Sequence, residues 1–193
     1  AALLLNNRYG VSIDKVREFL AQITDGELKI SKGMVNGLCR EFSAKTEAEQ
    51  KKAFADMLLL PVLQADFTNA RVNGKNAQVA ICSGSGITLY FAREHKGHKG
   101  LAGTPVEYYH GILVHDHGIV FYSYGDNHQE CLVHVLRYLK DSMENESNLQ
   151  WNKRMRGLLQ EMIHYRKGLA EENPGLDPDR VKEFEDRYRE VLE

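Results

Sequence analysis

Asp66 and Asp116, 50 residues apart, are the side chains of this sequence that most directly invite a chemical reading. Carboxylates brought to one point repel each other unless a cation neutralises them, and hard oxygen ligands suit Mg²⁺ or Mn²⁺. Two such ions, about 3.5–4 Å apart, clamp the attacking and leaving oxygens of a phosphodiester displacement. One polarises a water or a 3′-hydroxyl, the other stabilises the departing oxygen, and a third carboxylate commonly completes the site. The plainer reading is that Asp66 ends a strand and Asp116 caps a turn. A second group surrounds the second aspartate: His115, His117, His128, Cys131 and His134. Cys131 and His134 are three apart on a predicted helix and so share a face. A closed zinc site takes four ligands, and here the others would come from a strand end and a loop. A buried thiol beside a hydrogen-bonded histidine is the competing reading.

These residues need elements to position them. Residues 12–24 read as a helix capped by Ser12, with Ile13, Val16, Phe19, Leu20 and Ile23 at helical spacing. Thr24, Asp25 and Gly26 break it, and a second helix starts at the cap Ser31. This pair resembles a helix-turn-helix unit with Lys29, Lys32 and Arg40 exposed; plain helical packing produces the same pattern. A third helix covers 46–58. Strands are predicted at 62–67, 77–82 and 87–92, joined through Asn73-Gly74 and Ser83-Gly84-Ser85-Gly86. They form an antiparallel meander. A basic loop at 93–103 and a short helix near 105–109 lead to a fourth strand at 111–114, apolar throughout and expected to be buried on both faces. Residues 127–143, 149–166 and 179–193 read as helices, the last capped by Asp177 with Pro178 at its first position. A meander followed by a helical crossover and another strand is the beginning of a ribonuclease H-like sheet, with the fourth strand parallel beside the first. Asp66 and Asp116 then converge.

Composition excludes several classes. The chain has 193 residues, 42% hydrophobic and 27% charged, which is ordinary globular usage. Its longest apolar run, residues 57–63, is broken by Pro61 and far short of the roughly 20 residues of a membrane helix. Cys39, Cys82 and Cys131 are odd in number and contain no C-x-x-C pair, which points to reduced thiols and a cytoplasmic home. The net charge of −2 hides an asymmetry. Residues 169–193 hold four basic and nine acidic side chains, so the rest is mildly basic, with 21 against 18. Two basic clusters stand out, Lys96 and Lys99 in the loop and Lys153, Arg154 and Arg156 on a helix; each reads as a solvated surface or as a contact to DNA phosphates. The chain opens without Met and its last helix is still running at Glu193, which reads as a piece of a longer protein.

The stretch Ala65-Asp66-Phe67-Thr68-Asn69-Ala70-Arg71-Val72-Asn73-Gly74-Lys75 resembles the first-aspartate segment of bacterial insertion-sequence DDE transposases of the sixty-six type. That family commonly has Asp-Glu-Thr there, so Asp66 and Thr68 match and Phe67 departs. A second block resembles it more specifically: residues 111–116 ending in Asp116, then Tyr124-Gly125, then Cys131-x-x-His134-x-x-Arg137, with Trp151 further on. The resemblance spans residues 12–165. It implies a ribonuclease H-like core (three-strand antiparallel meander plus a parallel fourth strand) at 59–148, preceded by a helical, helix-turn-helix-like module at 1–58 and followed by a truncated helical insertion at 149–193. It implies Mg²⁺- or Mn²⁺-dependent cleavage and strand transfer on transposon-end and target DNA, by a homo-oligomer, with no membrane partner. Asp66 and Asp116 would be the first two metal-binding acids, and Cys131 and His134 would be architectural or contact terminal DNA. Arg137 would face a phosphate one turn further along. The third acid of the family lies in an Asn-Asn-x-x-Glu-Arg motif after a helical insertion and a fifth strand. No such motif follows Asp116, and Glu130, Glu144 and Glu161 lack its context. A nuclease of the same fold and a non-catalytic DNA-binding remnant are the rival readings. The all-helical phosphohydrolases with a His-Asp pair fit poorly, because here His115-Asp116 follows a strand.

Overall fold

Local chemistry accounts for most of the element boundaries. The computed structural model describes residues 1–169 and 175–193, so five residues of the expected insertion, 170–174, lie outside the described residues. The chain divides into two compact units, Ala1–Leu59 and Leu60–Glu193.

The first unit is helical: a π-helical turn at Leu4–Arg8, then α1 (Ile13–Ile23), α2 (Lys32–Lys45) and α3 (Glu47–Leu58). The Ser12 and Ser31 hydroxyls accept from the N–H groups of Lys15 and Met34, at 3.4 and 3.0 Å, each satisfying a backbone donor that a helix start leaves free. Val16, Leu20, Ile30 and Val35 form the buried core of this unit. Lys32 is held by Asp14 at 2.7 Å rather than standing free.

The second unit carries a five-stranded sheet: β1 (Val62–Val72), β2 (Lys75–Gly84), β3 (Ile87–Arg93), β4 (Ile112–His115) and β5 (Asn127–Glu130), in the order β3-β2-β1-β4-β5. β1–β2 and β2–β3 are antiparallel, whereas β1–β4 and β4–β5 are parallel, which makes the domain α/β with a mixed sheet. Both hairpins turn in two residues with positive φ, Asn73 (51°) and Gly74 (76°), then Ser85 (46°) and Gly86 (80°). That is the backbone a type I′ turn requires. Leu63, Cys82 and Leu113 are fully buried on one face, each such Leu contributing about 1.5–3 kcal/mol. Between β3 and β4 lie α4 (His98–Leu101) and a 3₁₀ turn, Pro105–Tyr108; between β4 and β5 lies a second, Ile119–Ser123. The unit closes with α5 (Leu132–Asn145), α6 (Trp151–Gly168) and α7 (Pro178–Leu192), α6 packing against both of the others. Asp177 caps α7 by accepting from Asp179 N–H at 3.0 Å.

Four expectations change. Residues 127–130 are a strand, not the start of a helix: they pair along β4 from Ile112↔Asn127 to His115↔Glu130. An edge strand needs only its backbone paired, so its polar Asn-His-Gln-Glu sequence carries no strand signal. A fifth strand therefore stands here, directly ahead of the helix at 132–145. β4 is not buried on both faces, since Ile112 is 39% exposed and the buried positions are Leu113 and His115. The loop at 93–103 holds the short helix α4. β1 and β2 run further than predicted, to the turn itself, because cross-strand pairing carries residues 68–72, a mix of polar and apolar side chains, along.

Candidate active site

Strand register brings the two aspartates together. β1 and β4 run parallel with Val62↔Ile112, Leu63↔Leu113 and Gln64↔Val114 as partners, an offset of 50 residues. Asp66 and Asp116 share that offset two residues past the last pair, so both leave the same face of neighbouring strands. Across β2, Asp66 sits opposite Ile81 and Gln64 opposite Ser83. These residues, with Ala65, Val114, Cys131 and His134, line one pocket of about 200 Å³. Both aspartates are half-buried. One oxygen of each is held by nearby backbone: Phe67 N–H donates to Asp66 Oδ1 at 2.7 Å and Gly118 N–H donates to Asp116 Oδ1 at 3.0 Å. Each carboxylate is thereby oriented while its Oδ2 remains available to a ligand. A Cβ at position 118 would lie 2.8 Å from Asp116 Oδ1, so any larger residue there makes that carboxylate shift.

The rim comes from α5. Cys131 N–H donates to the His115 carbonyl at 2.6 Å, which ties the start of the helix to the end of β4. One turn of helix then places Cys131 and His134 together at the pocket, as their spacing predicted. His134 Nδ1 is buried there without a hydrogen-bond partner.

A comparison with protein-family models matches the chain over residues 2–193 to the family described as Transposase IS66 family. The chain belongs to that family. No curated protein matches it. No described helix of this transposase-family chain is long and apolar enough to cross a membrane.

The histidines that sequence placed in one group are divided by the pleat of β4. His115 points away from Asp116, is 1% exposed, and donates from Nδ1 to the Asp116 carbonyl while its Nε2 meets His128 Nδ1 at 3.2 Å. Phe121 stacks on its ring at 5.1 Å and Tyr122 meets it edge-on at 4.7 Å. His117 and the Tyr122 hydroxyl both reach Glu130 Oε1, at 2.5 and 2.6 Å. The Tyr122 hydrogen bond, then that of His117, hold the Glu130 carboxyl below its ordinary range; the same contact raises the Tyr122 phenol. Among the described residues no three His, Cys, Asp or Glu side chains are grouped as metal ligands, so the zinc reading has no support.

The remaining sequence candidates of this transposase-family chain lie elsewhere. Arg137 is exposed on α5, and Lys96 and Lys99 are exposed before and within α4; none of the three lines the carboxylate pocket. Among the described residues no third carboxylate lines it either. Glu130 is held by His117 and Tyr122, Glu144 faces Lys140 at 3.6 Å, and Glu161 is bound by Arg180 and Arg187, each at 2.7 Å. In the helical basic cluster, Arg154 pairs with Glu190 at 2.8 Å. Gln64 and Ser83 were missed as pocket residues. The signal was present: the type I′ turn at Asn73-Gly74 sets the register that puts both on the face of Asp66. Phe67, the departure from the family pattern, falls on the opposite face and packs on Phe121 at 5.7 Å, so it leaves the pocket untouched.

Proposed function

We propose that this chain contributes a two-aspartate metal site, on a ribonuclease H-like core, to a DDE-type transposase. The observation that carries this is the shared register of Asp66 and Asp116 past the β1–β4 pairing, which sets both carboxylates in one pocket. The donor set fits a hard divalent cation such as Mg²⁺ or Mn²⁺: two half-buried carboxylates, each with one oxygen held by backbone and one free. When bound, such a cation activates the attacking water or 3′-hydroxyl and stabilises the leaving oxygen of a DNA phosphodiester. Asp66 and Asp116 hold that ion. Phe67 N–H and Gly118 N–H keep the carboxylates aimed, and the buried layer of His115 and Phe121 gives Asp116 a fixed backbone. Cys131 and His134 close the pocket on the side where terminal DNA enters, and Arg137 meets a phosphate beyond them. Transposon-end and target DNA are the substrates, acted on by a homo-oligomer.

The absence of a third carboxylate among the described pocket residues supports a chain that binds ion and DNA but does not join strands by itself. The direct test is a crystal soaked in Mn²⁺. One ion shared by Asp66 and Asp116 is the expected result, and an ion-free pocket at millimolar Mn²⁺ overturns the reading. Robust strand transfer by this chain alone would contradict the missing third ligand.

A further inference from the structure

The β1–β4 ladder stops short of the carboxylate pocket. Its last pair is Gln64↔Val114, two residues before the aspartates. What holds each carboxylate is local: Asp66 Oδ1 accepts from Phe67 N–H at 2.7 Å, and Asp116 Oδ1 accepts from Gly118 N–H at 3.0 Å. Gly118 opens the 3₁₀ turn Ile119–Ser123, and Phe121 N–H closes that turn by donating to the Gly118 carbonyl at 3.0 Å. Behind the strands the Phe67 and Phe121 rings meet, with centroids 5.7 Å apart and planes tilted by 38°. That separation is within the range of favourable aromatic pairs. Phe121 is 1% exposed and stacks at 5.1 Å on His115, whose Nδ1 donates to the Asp116 carbonyl. On its other side the Phe67 ring lies close against α4, where Gly100 is buried and a Cβ would stand 2.9 Å from two ring carbons. Gly100, Phe67, Phe121 and His115 thus form a continuous row from α4 to the end of β4, and none of them lines the pocket.

We infer that Phe67 is a positioning residue whose ring, through Phe121, couples the two aspartates from behind the pocket. A cation shared by Asp66 and Asp116 requires oxygens from two different strands to stand at a fixed separation. The backbone ladder sets the register of those strands but ends before the level of the site, and the ring contact continues the connection from there. The N–H that holds Asp66 and the ring that meets Phe121 belong to one residue, so anchoring the ring fixes the direction of the N–H. Phe121 acts in the same way on Gly118, at the other end of its closed turn. Groups behind metal ligands govern affinity by fixing how the ligands point. Phe67 is also the position at which this chain departs from the Asp-Glu-Thr of the family pattern, and a glutamate there has no ring to set against Phe121. The inference rests on the metal reading of the pocket proposed above.

The test is Mn²⁺ binding by the full chain, followed through the electron paramagnetic resonance of the free ion, at a temperature where circular dichroism shows each variant folded. The variants are Phe67→Leu, Phe121→Leu and the two combined. Phe184→Leu is the control for loosened packing, since Phe184 is 4% exposed on α7 and outside the pocket lining. Each of the two single variants is expected to bind Mn²⁺ about tenfold more weakly. The combined variant is expected to lose about the same tenfold rather than about a hundredfold, because both changes break one link. Phe184→Leu is expected to lower the melting temperature and keep the wild-type affinity. Unchanged affinity in Phe67→Leu, equal weakening in Phe184→Leu, or losses that multiply in the combined variant would each overturn the inference and leave the two-aspartate reading standing. No Mn²⁺ binding by the wild type would instead remove that reading, and the inference with it. If Phe121→Leu does not fold, Phe67→Leu against Phe184→Leu decides alone, the Phe67 side chain being only half-buried.

Discussion

The two faces at the end of β4 use the same kinds of residue to opposite ends. On one face His115, His117, His128, Tyr122 and Glu130 hydrogen-bond to one another and to the chain. Aromatic rings cover the one that is buried. On the other face Asp66, Asp116, Cys131 and His134 line a pocket in which each carboxylate has one oxygen held and one left over, and in which the buried nitrogen of His134 has no partner. Buried polar groups are ordinarily satisfied, because an unpaired one costs about 1–3 kcal/mol. The satisfied face therefore supplies stability, and the unsatisfied face is where a ligand has something to gain. Residue type alone does not separate them; His115 and Asp116 are neighbours in the chain and differ only in which way the pleat turns them.

The strongest way to break this comparison is to neutralise the open face. Asp66→Asn or Asp116→Asn is expected to weaken Mn²⁺ binding at least about tenfold by calorimetry. The melting temperature should hold or rise, because two neighbouring carboxylates no longer repel. A fall in stability without loss of cation binding would place the aspartates in the structural class. Next comes the closed face. His115→Ala removes a fully buried ring and its hydrogen bonds and should cost about 2–4 kcal/mol in denaturant unfolding. His134→Ala should stay within about 1 kcal/mol, having no partner to abandon at Nδ1. Similar losses at the two histidines would erase the distinction.

Smaller effects sharpen it. Gly118→Ala drives a methyl group to within contact of Asp116 Oδ1, so it should lower Mn²⁺ affinity several-fold for a stability cost of about 1 kcal/mol. Burial pushes the Cys82 thiol up to about 11. Iodoacetamide at pH 8 is therefore expected to label half-buried Cys39 and Cys131 in the native chain and Cys82 only after unfolding. The smallest effect is on the acid side. Glu130 has its carboxyl lowered by Tyr122 and His117, so its contribution is present above its unfolded value near 4.5 and disappears as pH falls through the lower folded one. The melting-temperature gap between wild type and Glu130→Gln should be open at pH 6 and close below pH 4.

Much of this was legible in the residues. Ser12, Ser31 and Asp177 announced their helices because a cap acts on backbone N–H groups two or three residues away. Asn73-Gly74 announced a tight hairpin because few residues tolerate positive φ at both central positions. Cys131 and His134 shared the predicted face. The polar strand Asn127–Glu130 was not legible, nor were the outer halves of β1 and β2, since a strand partly exposed to water needs no apolar alternation.

What the sequence by itself determined about this protein is everything that acts over a few residues: caps, turns, helical faces, the two aspartates and the family pattern around them. Only the tertiary structure decided which of those side chains meet. The 50-residue offset that aligns Asp66 with Asp116 is a property of the β1–β4 pairing, as is the pleat that turns His115 into a closed layer and Asp116 into an open pocket. The pairing of Glu161 with Arg180 and Arg187, which removes it as a third ligand, spans two helices. Hydrogen-bond ladders and ion pairs join atoms distant in the chain, and their register is set by how whole strands and helices pack, a sum that no local window contains.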